Sequence, residues 1–319
     1  MFKNVYLIFN PVSGQGDPET ELAIIREEIE AKTSLTVLET TPEIEARQLA
    51  DKAIAQGADC IIASGGDGTV STVAGALLDT DVCLGIVPRG TANAIAAAFG
   101  IATDLRAACK TVLEGIPREI DMASCDGNPL MLLAGIGLEA DVVSQANRQL
   151  KNKIGSAAYI LSAFRQVREL SVFKVEMETP DRIITVNASG VTVANVAPPT
   201  SVLAQGPSDV LPYDGLLDVT IFSPEGTGGA IAASYSLFQS AVNKRSTQRE
   251  DVGYFRCRAL KITADPVQEV VVDGEIVGKT PIEIHCIEKG IRLMTPEDGG
   301  TFDPLEKLEG LPGLEIRHK

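Results

Sequence analysis

The first hundred residues alternate short apolar runs with stretches of helical periodicity, and this alternation constrains the fold more than any other feature. Helices of this length between strands are typical of crossovers, which join parallel strands. The predicted strands are Val5–Asn10, Leu35–Thr40, Asp59–Ser64 and Cys83–Pro88, and the predicted helices are Glu19–Ala31, Glu43–Gln56, Val70–Asp79 and Ala94–Phe99. The N-terminal part is therefore predicted to be an α/β domain with a parallel sheet.

The pattern changes near Glu119, after which strand-like runs dominate. Two stretches with helical periodicity, Ala140–Leu170 and Gly226–Val242, interrupt them. The predicted strands are Pro129–Ala134, Val172–Met177, Ile183–Val196, Leu217–Phe222, Ala259–Thr263, Val267–Val272, Ile282–Ile287 and Gly290–Met294. This part is predicted to be a mainly antiparallel β-sandwich or barrel.

A chain of 319 residues suits about two domains. We place an α/β domain at 1–122, a β domain at 123–296, and a polar tail at 297–319 that packs as a short helix or frays. The six cysteines form no CxxC pair, and most lie in apolar runs. They are expected to be free core residues in a reducing cytoplasm.

The charge of the chain limits its partners. Asp and Glu number 43 against 28 Lys and Arg, which gives a formal charge of −15. A chain this acidic is a poor nucleic-acid binder, because phosphate backbones require a broad positive surface. No run of 18 or more apolar residues is present, so no transmembrane helix is expected.

The strongest local signal is SGGDGT, Ser64–Thr69, at a predicted junction between a strand and a helix. Glycines let backbone N–H groups approach a phosphate, and the helix N-terminus adds partial positive charge. Asp67 suits a bound Mg²⁺ or a ribose hydroxyl. In isolation, the same string is also compatible with a tight turn that contains a helix-capping aspartate.

Two further loops follow predicted strands, Asn10–Gly16 and Arg89–Asn93. In a parallel sheet all three loops lie at the carboxyl edge, where ligands bind. The sequence has neither GxxxxGK[ST] nor a GxGxxG after its first strand. A Walker-type P-loop and a dehydrogenase-type Rossmann site are therefore not supported.

Six motifs occur in an order that resembles a known family. They are NPVSG (10–14), SGGDGT (64–69), GIVPRGTAN (85–93), GIGLEADV (135–142), DGLLDV (214–219) and VVDGEIVGKTP (271–281). Together they resemble the soluble bacterial diacylglycerol-kinase-like lipid kinases, within the wider NAD kinase and phosphofructokinase-like group. The resemblance covers about residues 1–296 and implies a phosphofructokinase-like α/β domain followed by a β-sandwich.

The resemblance also implies site residues. The positions that match nucleotide contacts are Asn10, Pro11, Val12, Ser13, Gly14, Thr40, Gly65, Gly66, Asp67, Gly68, Thr69, Thr72, Thr91 and Asn93. Asp67 and Asp121 match acids that organise Mg²⁺-ATP. Asp214, with the carbonyls of Leu211 and Leu216, matches a second, structural Mg²⁺ site.

The acidic pair Asp273 and Glu275 matches the region from which the family's general base is drawn. A carboxylate suits this task, since phosphoryl transfer needs positioning, charge neutralisation and an acceptor for the alcohol proton. The same VVDGEIVG string predicts a β-hairpin with Asp-Gly at its turn. The sequence does not choose between the two acids as the base.

The chain departs from the family pattern at three positions. Ala94 replaces the acid of the usual GTxND, Gln15 replaces a basic residue, and Glu139 stands where Asp is common. The loss of the acid at position 94 removes one carboxylate that would organise Mg²⁺.

The expected function is ATP- and Mg²⁺-dependent phosphorylation of a hydroxyl on a diacylglycerol-like lipid. The expected partners are ATP and a lipid at the membrane surface, with a homodimer as one expected assembly. The enzyme would be cytoplasmic and associate peripherally with the membrane when active. Two alternatives remain, a kinase of NAD or another soluble metabolite, and a catalytically weak nucleotide- or lipid-binding regulator.

Overall fold

The structure is a computed structural model that describes residues 2–14, 16–138, 171–197, 204, 210–224, 226, 229, 232–233, 236, 247, 249–296 and 306–319. Gln15, Glu139, the predicted helix Ala140–Leu170 and most of the predicted helix Gly226–Val242 lie outside these residues. The chain forms two compact units, Met1–Met122 with Glu288–Gly300, and Ala123–Ile287 with Thr301–Lys319.

The first unit contains a parallel sheet of strands β1 (Asn4–Phe9), β2 (Ser34–Glu39), β3 (Cys60–Gly65) and β4 (Cys83–Pro88), in the order β2-β1-β3-β4. Every residue of β3 and β4 is buried. Continuous burial is typical of parallel strands, because helices cover both faces. The predicted parallel α/β sheet is confirmed.

Five helices follow these strands: α1 (Pro18–Glu30), α2 (Ala46–Ala55), α3 (Asp67–Ala76), α4 (Ala94–Ala98) and α5 (Leu105–Glu114). α1 begins where the Asp17 carboxylate accepts from the N–H of Thr20, with proline in its first turn. α5 was not predicted, although Asp104 caps it in the same way. None of the helices in the described part of the chain has the length and apolarity needed to cross a membrane.

Two long strands carry the chain between the units. β5 (Ile116–Cys125) leaves the first unit after Met122, and β16 (Ile282–Thr295) returns to it at Glu288. The last part of β16 pairs in parallel with β4, at Arg292 with Cys83. Residues 288–296 therefore belong to the first unit. The sequence analysis placed them in the second domain, and its domain limits stay a prediction.

The second unit contains two antiparallel sheets around one apolar core. The first has the order β17-β9-β8-β13-β16, with β6 paired to β5, and the second has the order β12-β11-β10-β7-β14-β15. The bounds of the strands not yet given are β6 Asn128–Leu130, β7 Leu133–Gly137, β8 Phe173–Glu178, β9 Arg182–Ala188, β10 Gly190–Ala194, β11 Leu217–Phe222, β12 Val252–Cys257, β13 Ala259–Asp265, β14 Glu269–Val272, β15 Glu275–Lys279 and β17 Glu315–His318. Core residues come from both sheets, so of the two predicted architectures the structure has the sandwich.

The extent of several predicted strands is wrong. The run Ile183–Val196 is divided at Ser189 into β9 and β10, which belong to different sheets. Conversely, Ile282–Ile287 and Gly290–Met294 are parts of the single strand β16, which continues through Lys289 at a φ of 53°. Apolar alternation does not reveal where a strand changes its partner sheet. At Lys289 the backbone is left-handed, but the strand continues through it, so one strand is present where the sequence predicts two.

The cysteines agree with the prediction of free core residues. All six lie among the described residues, where none forms a disulfide, and all but Cys286 are buried. Burial raises the pKa of the thiols of Cys83, Cys109, Cys125 and Cys257 to about 12. These four thiols are therefore unreactive packing groups.

The C-terminal residues are an integral part of the second unit. Leu308 and Leu311 are buried in its core, and β17 pairs antiparallel with β9 from Glu315 to His318. Both expectations for the tail, a short helix or fraying, are wrong for residues 306–319, because two buried leucines and a strand edge hold this segment in place.

We expect Leu311→Ala to lower the free energy of unfolding by about 2–4 kcal/mol, because it removes a buried side chain and leaves a cavity. Leu311 is 5% exposed and fills the space above Gly253. Urea unfolding measures the change. The matched control is Ile316→Ala in β17, where the side chain is 39% exposed and the loss is expected to stay below about 1 kcal/mol. Equal losses for the two variants would contradict the packing role of the tail.

Candidate active site

Three loops begin at one edge of the parallel sheet, where β1, β3 and β4 end. The backbone ladder continues one residue beyond the strands, since Asn10 N donates to Ser64 O at 2.9 Å and Arg89 N donates to Gly65 O at 2.8 Å. Thr40, which follows β2, donates to the β1 backbone at 2.9 Å. The structure thus brings the predicted nucleotide-contact residues that follow these four strands to a common edge.

The first loop, Asn10–Gly14, is folded around its own asparagine. Asn10 Oδ1 accepts from Val12 N at 3.2 Å, and Asn10 O accepts from Ser13 N at 3.1 Å. Asn10 Nδ2 donates to Thr69 Oγ1 at 3.1 Å, which connects this loop to the first turn of α3. The loop is therefore a compact turn that exposes Val12 at its tip and leaves Pro11 half-buried.

The second loop passes from β3 into α3 through Gly65 and Gly66. A Cβ on Gly65 would lie 2.5 Å from Thr69 Oγ1, so only glycine fits there. A Cβ on Gly90 would lie 2.6 Å from Gly66 Cα. The second and third loops thus meet backbone against backbone, which leaves their N–H groups accessible without side chains between them.

Asp67 is the first residue of α3, and its side chain also reaches a second helix. Asp67 Oδ1 accepts from Ile95 N, at the start of α4, at 2.9 Å. Its other carboxylate oxygen has no hydrogen-bond or ion-pair partner among the residues that the structure describes. Asp67 therefore caps α4 with one carboxylate oxygen and leaves the other available for a ligand. The two interpretations of this motif, a helix cap and a ligand-binding residue, are therefore compatible. Gly68 accepts from Thr72 Oγ1 at 2.7 Å within α3.

The third loop contains two polar residues of the predicted set, Thr91 and Asn93. Thr91 is exposed, and Asn93 has a left-handed backbone with φ 48°. Asn93 Oδ1 is a buried atom without a hydrogen-bond partner among the residues that the structure describes, and so is Ser64 Oγ near the end of β3. Orphaned buried polar atoms at a loop cluster indicate a place where a ligand or water completes the hydrogen bonding.

Arg89 and Glu21 are residues of this edge that the sequence reasoning did not select as site residues. The Arg89 side chain is buried, and its guanidinium lies 2.6 Å from Glu21 Oε2 and donates to Asn10 O at 2.8 Å. The available signal was an arginine directly after the fully apolar strand β4, since a charge at such a place requires a partner.

The predicted metal residue Asp121 lies in β5 and is fully buried. Its Oδ1 accepts from Lys289 N at 2.8 Å. In the described part of the chain, no group of three or more acidic, histidine or cysteine side chains converges on one point that suits a metal ion. A metal at Asp67 or Asp121 would therefore take its remaining ligands from phosphate oxygens and water.

The predicted structural metal segment, Leu211–Leu216, contains one acid, Asp214, which belongs to an ion-pair network in the second unit. Asp214 Oδ1 accepts from Leu216 N at 3.0 Å, and Oδ2 lies 2.7 Å from Arg256 Nη1. Arg256 Nε also donates to Asp218 Oδ1 at 2.9 Å. Burial raises the pKa of Asp218 to about 6, and the guanidinium of Arg256 opposes this shift. The sequence reasoning did not identify Asp218 and Arg256 as partners of Asp214.

The hairpin predicted at VVDGEIVG is present as β14 and β15. Asp273 and Gly274 have φ values of 47° and 90°, as a two-residue turn with both central residues left-handed requires. Asp273 Oδ2 accepts from Met131 N, and Oδ1 accepts from Leu132 N and Leu133 N, all at 2.8–3.1 Å.

Glu275 differs from Asp273 in its surroundings. It opens β15, its side chain is exposed, and its carboxylate has no hydrogen bond or ion pair with any residue that the structure describes. The two acids that the sequence left as equal candidates are therefore distinguished by geometry. The carboxylate of Asp273 is occupied by backbone donors, and that of Glu275 is available.

Comparison with known proteins agrees with this arrangement. Residues 4–125 match the diacylglycerol kinase catalytic domain, and residues 133–295 match the YegS C-terminal NAD kinase beta sandwich-like domain. A diacylglycerol kinase of Bacillus subtilis (strain 168) is 28% identical, over 93% of this chain and 97% of its own. An uncharacterised protein of Synechocystis sp. is 42% identical over 92% of this chain and 70% of its own.

A solved structure from Bacillus anthracis str. Sterne, which carries a provisional diacylglycerol kinase assignment, has a TM-score of 0.77. Its sequence is 27% identical, and the match covers 93% of this chain and 98% of the chain in the solved structure. The two domain matches, the relatives and the shared fold agree. The chain therefore belongs to the diacylglycerol kinase catalytic domain family and is a phosphotransferase with an alcohol group as acceptor.

Proposed function

We propose that this chain is an ATP- and Mg²⁺-dependent lipid kinase that phosphorylates a hydroxyl of a diacylglycerol-like lipid. The observation that carries the proposal is the convergence of three glycine-containing loops at the carboxyl edge of β1, β3 and β4. This is the place where α/β proteins bind phosphate-bearing ligands. The relatives that are named diacylglycerol kinases support the lipid class of the acceptor.

In this proposal the loops hold the triphosphate. The N-terminal turn of α3 presents backbone N–H groups after Gly65 and Gly66, where the helix dipole favours negative charge. Asn10–Gly14 and the Thr91 hydroxyl contribute further donors. The orphaned oxygens Ser64 Oγ and Asn93 Oδ1 suit hydroxyl or amino groups of the donor nucleotide, or its ordered water.

The residues fit a magnesium ion. Half-buried Asp67 has a carboxylate oxygen without a partner among the described residues, and Asp121 provides a fully buried carboxylate in the same unit. Hard carboxylate oxygens completed by phosphate and water are the usual ligands of Mg²⁺. Bound Mg²⁺ would neutralise charge on the transferred phosphoryl group. In the second unit, Asp214 with the carbonyls of Leu211 and Leu216 is the proposed site of a structural cation. Asp214 Oδ2 lies 2.7 Å from Arg256 Nη1, so the guanidinium competes with the cation for this oxygen.

We assign the role of general base to Glu275. A base needs a carboxylate oxygen within reach of the alcohol proton. The oxygens of Asp273 already accept three backbone N–H bonds, so its task is to fix the segment Met131–Leu133. Glu275 is exposed and free among the described residues, and the rigid turn before it fixes the start of its strand.

The acceptor is proposed to be a lipid hydroxyl at the membrane surface, reached from the cytoplasm. One observation favours the alternative of a catalytically weak regulator: Ala94 opens α4 where the family pattern has an acid. An NAD kinase is the second alternative, because NAD kinases also contain the GGDGT motif. An assay with several acceptors separates these three functions.

The first test is transfer of radiolabelled γ-phosphate from ATP, with Mg²⁺, to mixed micelles that contain diacylglycerol, monoacylglycerol, ceramide or sphingosine, and separately to NAD. We expect a labelled glycerolipid, and Asp67→Asn is expected to lower kcat at least about 100-fold because it removes the metal-facing charge. Asparagine keeps the acceptor for Ile95 N, so helix α4 retains its cap.

Asp104→Asn is the matched control, because Asp104 caps α5 through Ala107 N at 2.9 Å and lies in no proposed site. It is expected to leave turnover unchanged. Label in NAD alone would replace the proposal by the NAD kinase alternative. ATP binding without label in any acceptor would favour the regulator.

A second prediction concerns the contact between the two glycine loops. Gly90→Ala would place a methyl group 2.6 Å from Gly66 Cα and force the loops apart. We expect kcat/KM for ATP to fall at least about tenfold, since sub-ångström misplacement of binding groups is costly. Steady-state kinetics and isothermal titration with an ATP analogue measure it. Gly278→Ala, which meets open space, is the control, and an unchanged kcat/KM in Gly90→Ala would count against a phosphate-binding role.

A third prediction separates the two acids of the hairpin. Glu275→Gln is expected to lower kcat about 10²–10⁴-fold, as loss of a general base does, with unfolding unchanged. Asp273→Asn is expected to lower the free energy of unfolding by about 1–3 kcal/mol, because backbone N–H groups lose a charged acceptor. Kinetics and urea unfolding on both variants test the assignment. The assignment to Glu275 is wrong if Glu275→Gln retains full kcat while Asp273→Asn loses turnover at unchanged stability.

A further inference from the structure

Arg89 is a charged residue in a place where charges are rare. Its side chain is 1% exposed, directly after the fully buried strand β4. A buried charge persists only when it is paired and hydrogen-bonded, because removal from water costs several kcal/mol per ion. An arginine next to phosphate-binding loops would ordinarily be taken for a phosphate ligand, but burial on this scale keeps its charge away from solvent.

The charge of Arg89 is directed to Glu21 in α1. Nε donates to Glu21 Oε2 at 2.6 Å, and Nη2 lies 2.6 Å from the same oxygen. Nη1 donates to the carbonyl of Asn10 at 2.8 Å, and the guanidinium lies 4.0 Å from the centre of the Phe9 ring. Arg89 thus connects a helix, the end of β1 and the first residue of the first loop.

The last residue of the first loop, Gly14, lies next to Arg89 and Glu21. Gly14 has φ 101°, and a Cβ there would lie 3.2 Å from Arg89 O and 3.4 Å from Glu21 Oε2. The loop Asn10–Gly14 is therefore held at its first residue by a hydrogen bond from Arg89. Its last residue lies beside both members of the ion pair, since a Cβ there would also lie 3.5 Å from Arg89 Nη2.

We propose that Arg89 and Glu21 form a positioning pair that holds the Asn10–Gly14 loop in the conformation that binds the donor nucleotide. The inference rests on the proposed kinase function for its kinetic consequences. Neither residue touches the nucleotide in this proposal. They affect nucleotide binding indirectly, through the hydrogen bond to the Asn10 carbonyl and through the position of Gly14 beside the pair.

The proposal and the phosphate-ligand alternative predict opposite effects of one variant. If Arg89 positions the loop, Glu21→Gln weakens ATP binding, because the guanidinium loses the charge that orients it. If Arg89 binds phosphate directly, Glu21→Gln releases the guanidinium and strengthens ATP binding or leaves it unchanged.

The experiment compares Arg89→Lys, Glu21→Gln and the double variant Arg89→Met with Glu21→Gln. Lysine keeps the charge but cannot bridge Glu21 and Asn10 O together, since it lacks the planar fork of arginine. The double variant leaves no unpaired charge and similar volume, so its stability is expected to stay near that of the wild type. We expect KM for ATP to rise at least about tenfold in all three variants with a smaller change in kcat.

Hydrogen exchange of the peptide that contains residues 10–14 provides a readout that does not need activity. We expect faster exchange there in all three variants. The control is Arg106→Gln, which breaks exposed ion pairs to Glu27 and Glu28 on the same helix α1 and is expected to change neither KM nor exchange in the loop.

Slow, wild-type-like exchange in the double variant, or a lower KM for ATP in Glu21→Gln, would overturn the proposal. A fall in melting temperature with unchanged KM and unchanged loop exchange would overturn it as well, since it would show a purely structural pair. Failure of the proposed function is recognised separately, as a wild-type protein without phosphate transfer to any acceptor, and the exchange data then still decide the positioning role.

Discussion

Parallel pairing of β1, β3 and β4 in register is the constraint on which the site depends. Phe9 pairs with Ser64, and Ser64 pairs with Val87, so the three strands end within one residue of each other. Because a parallel ladder slants evenly, the loops that follow must leave the sheet side by side. The glycines are a consequence: at Gly66 and Gly90, neighbouring strand ends bring two backbones closer than a methyl group permits.

In the proposed function, this edge explains how a strongly acidic chain could bind the phosphates of a nucleotide. Local donors matter here more than net charge, because the backbone N–H groups of α3 and the loops are fixed dipoles at short range. Arg89, which is buried at this edge, is paired with Glu21. In the proposed function the site gains phosphate affinity from geometry, and such affinity depends on the loops being held in position.

Much of the fold follows from the sequence, because it depends on local patterns. The apolar runs of β1–β4 and the Asp-Gly turn of the hairpin carry their structure in a few adjacent residues. The division of Ile183–Val196 between two sheets does not, because it depends on which distant strands pair with β9 and β10. The burial of Leu311 depends in the same way on a distant neighbour, Gly253.

In the candidate site, too, local sequence predicts some features and long-range contacts determine others. Residue types and their order predicted the glycine loops and the acidic pair, but the roles within each group depend on long-range contacts. Asp273 and Glu275 are equivalent in the sequence, and only contacts with backbone N–H groups some 140 residues away distinguish them. Arg89 likewise has the sequence context of a phosphate ligand, and only the position of Glu21, 68 residues earlier, shows where its charge is directed.

Ala94 has a consequence for Asp67 that follows from these contacts. The Asp67 carboxylate accepts from Ile95 N, so it lies against the first turn of α4, which Ala94 opens. An acid at position 94 would add a second negative charge in this turn and share the task of attracting a cation. With alanine there, the proposed attraction of a cation at this junction falls to Asp67, which also caps α4. In that proposal each carboxylate oxygen of Asp67 has a separate task. Oδ1 accepts from the α4 backbone, and this bond sets the orientation of the oxygen that faces the cation.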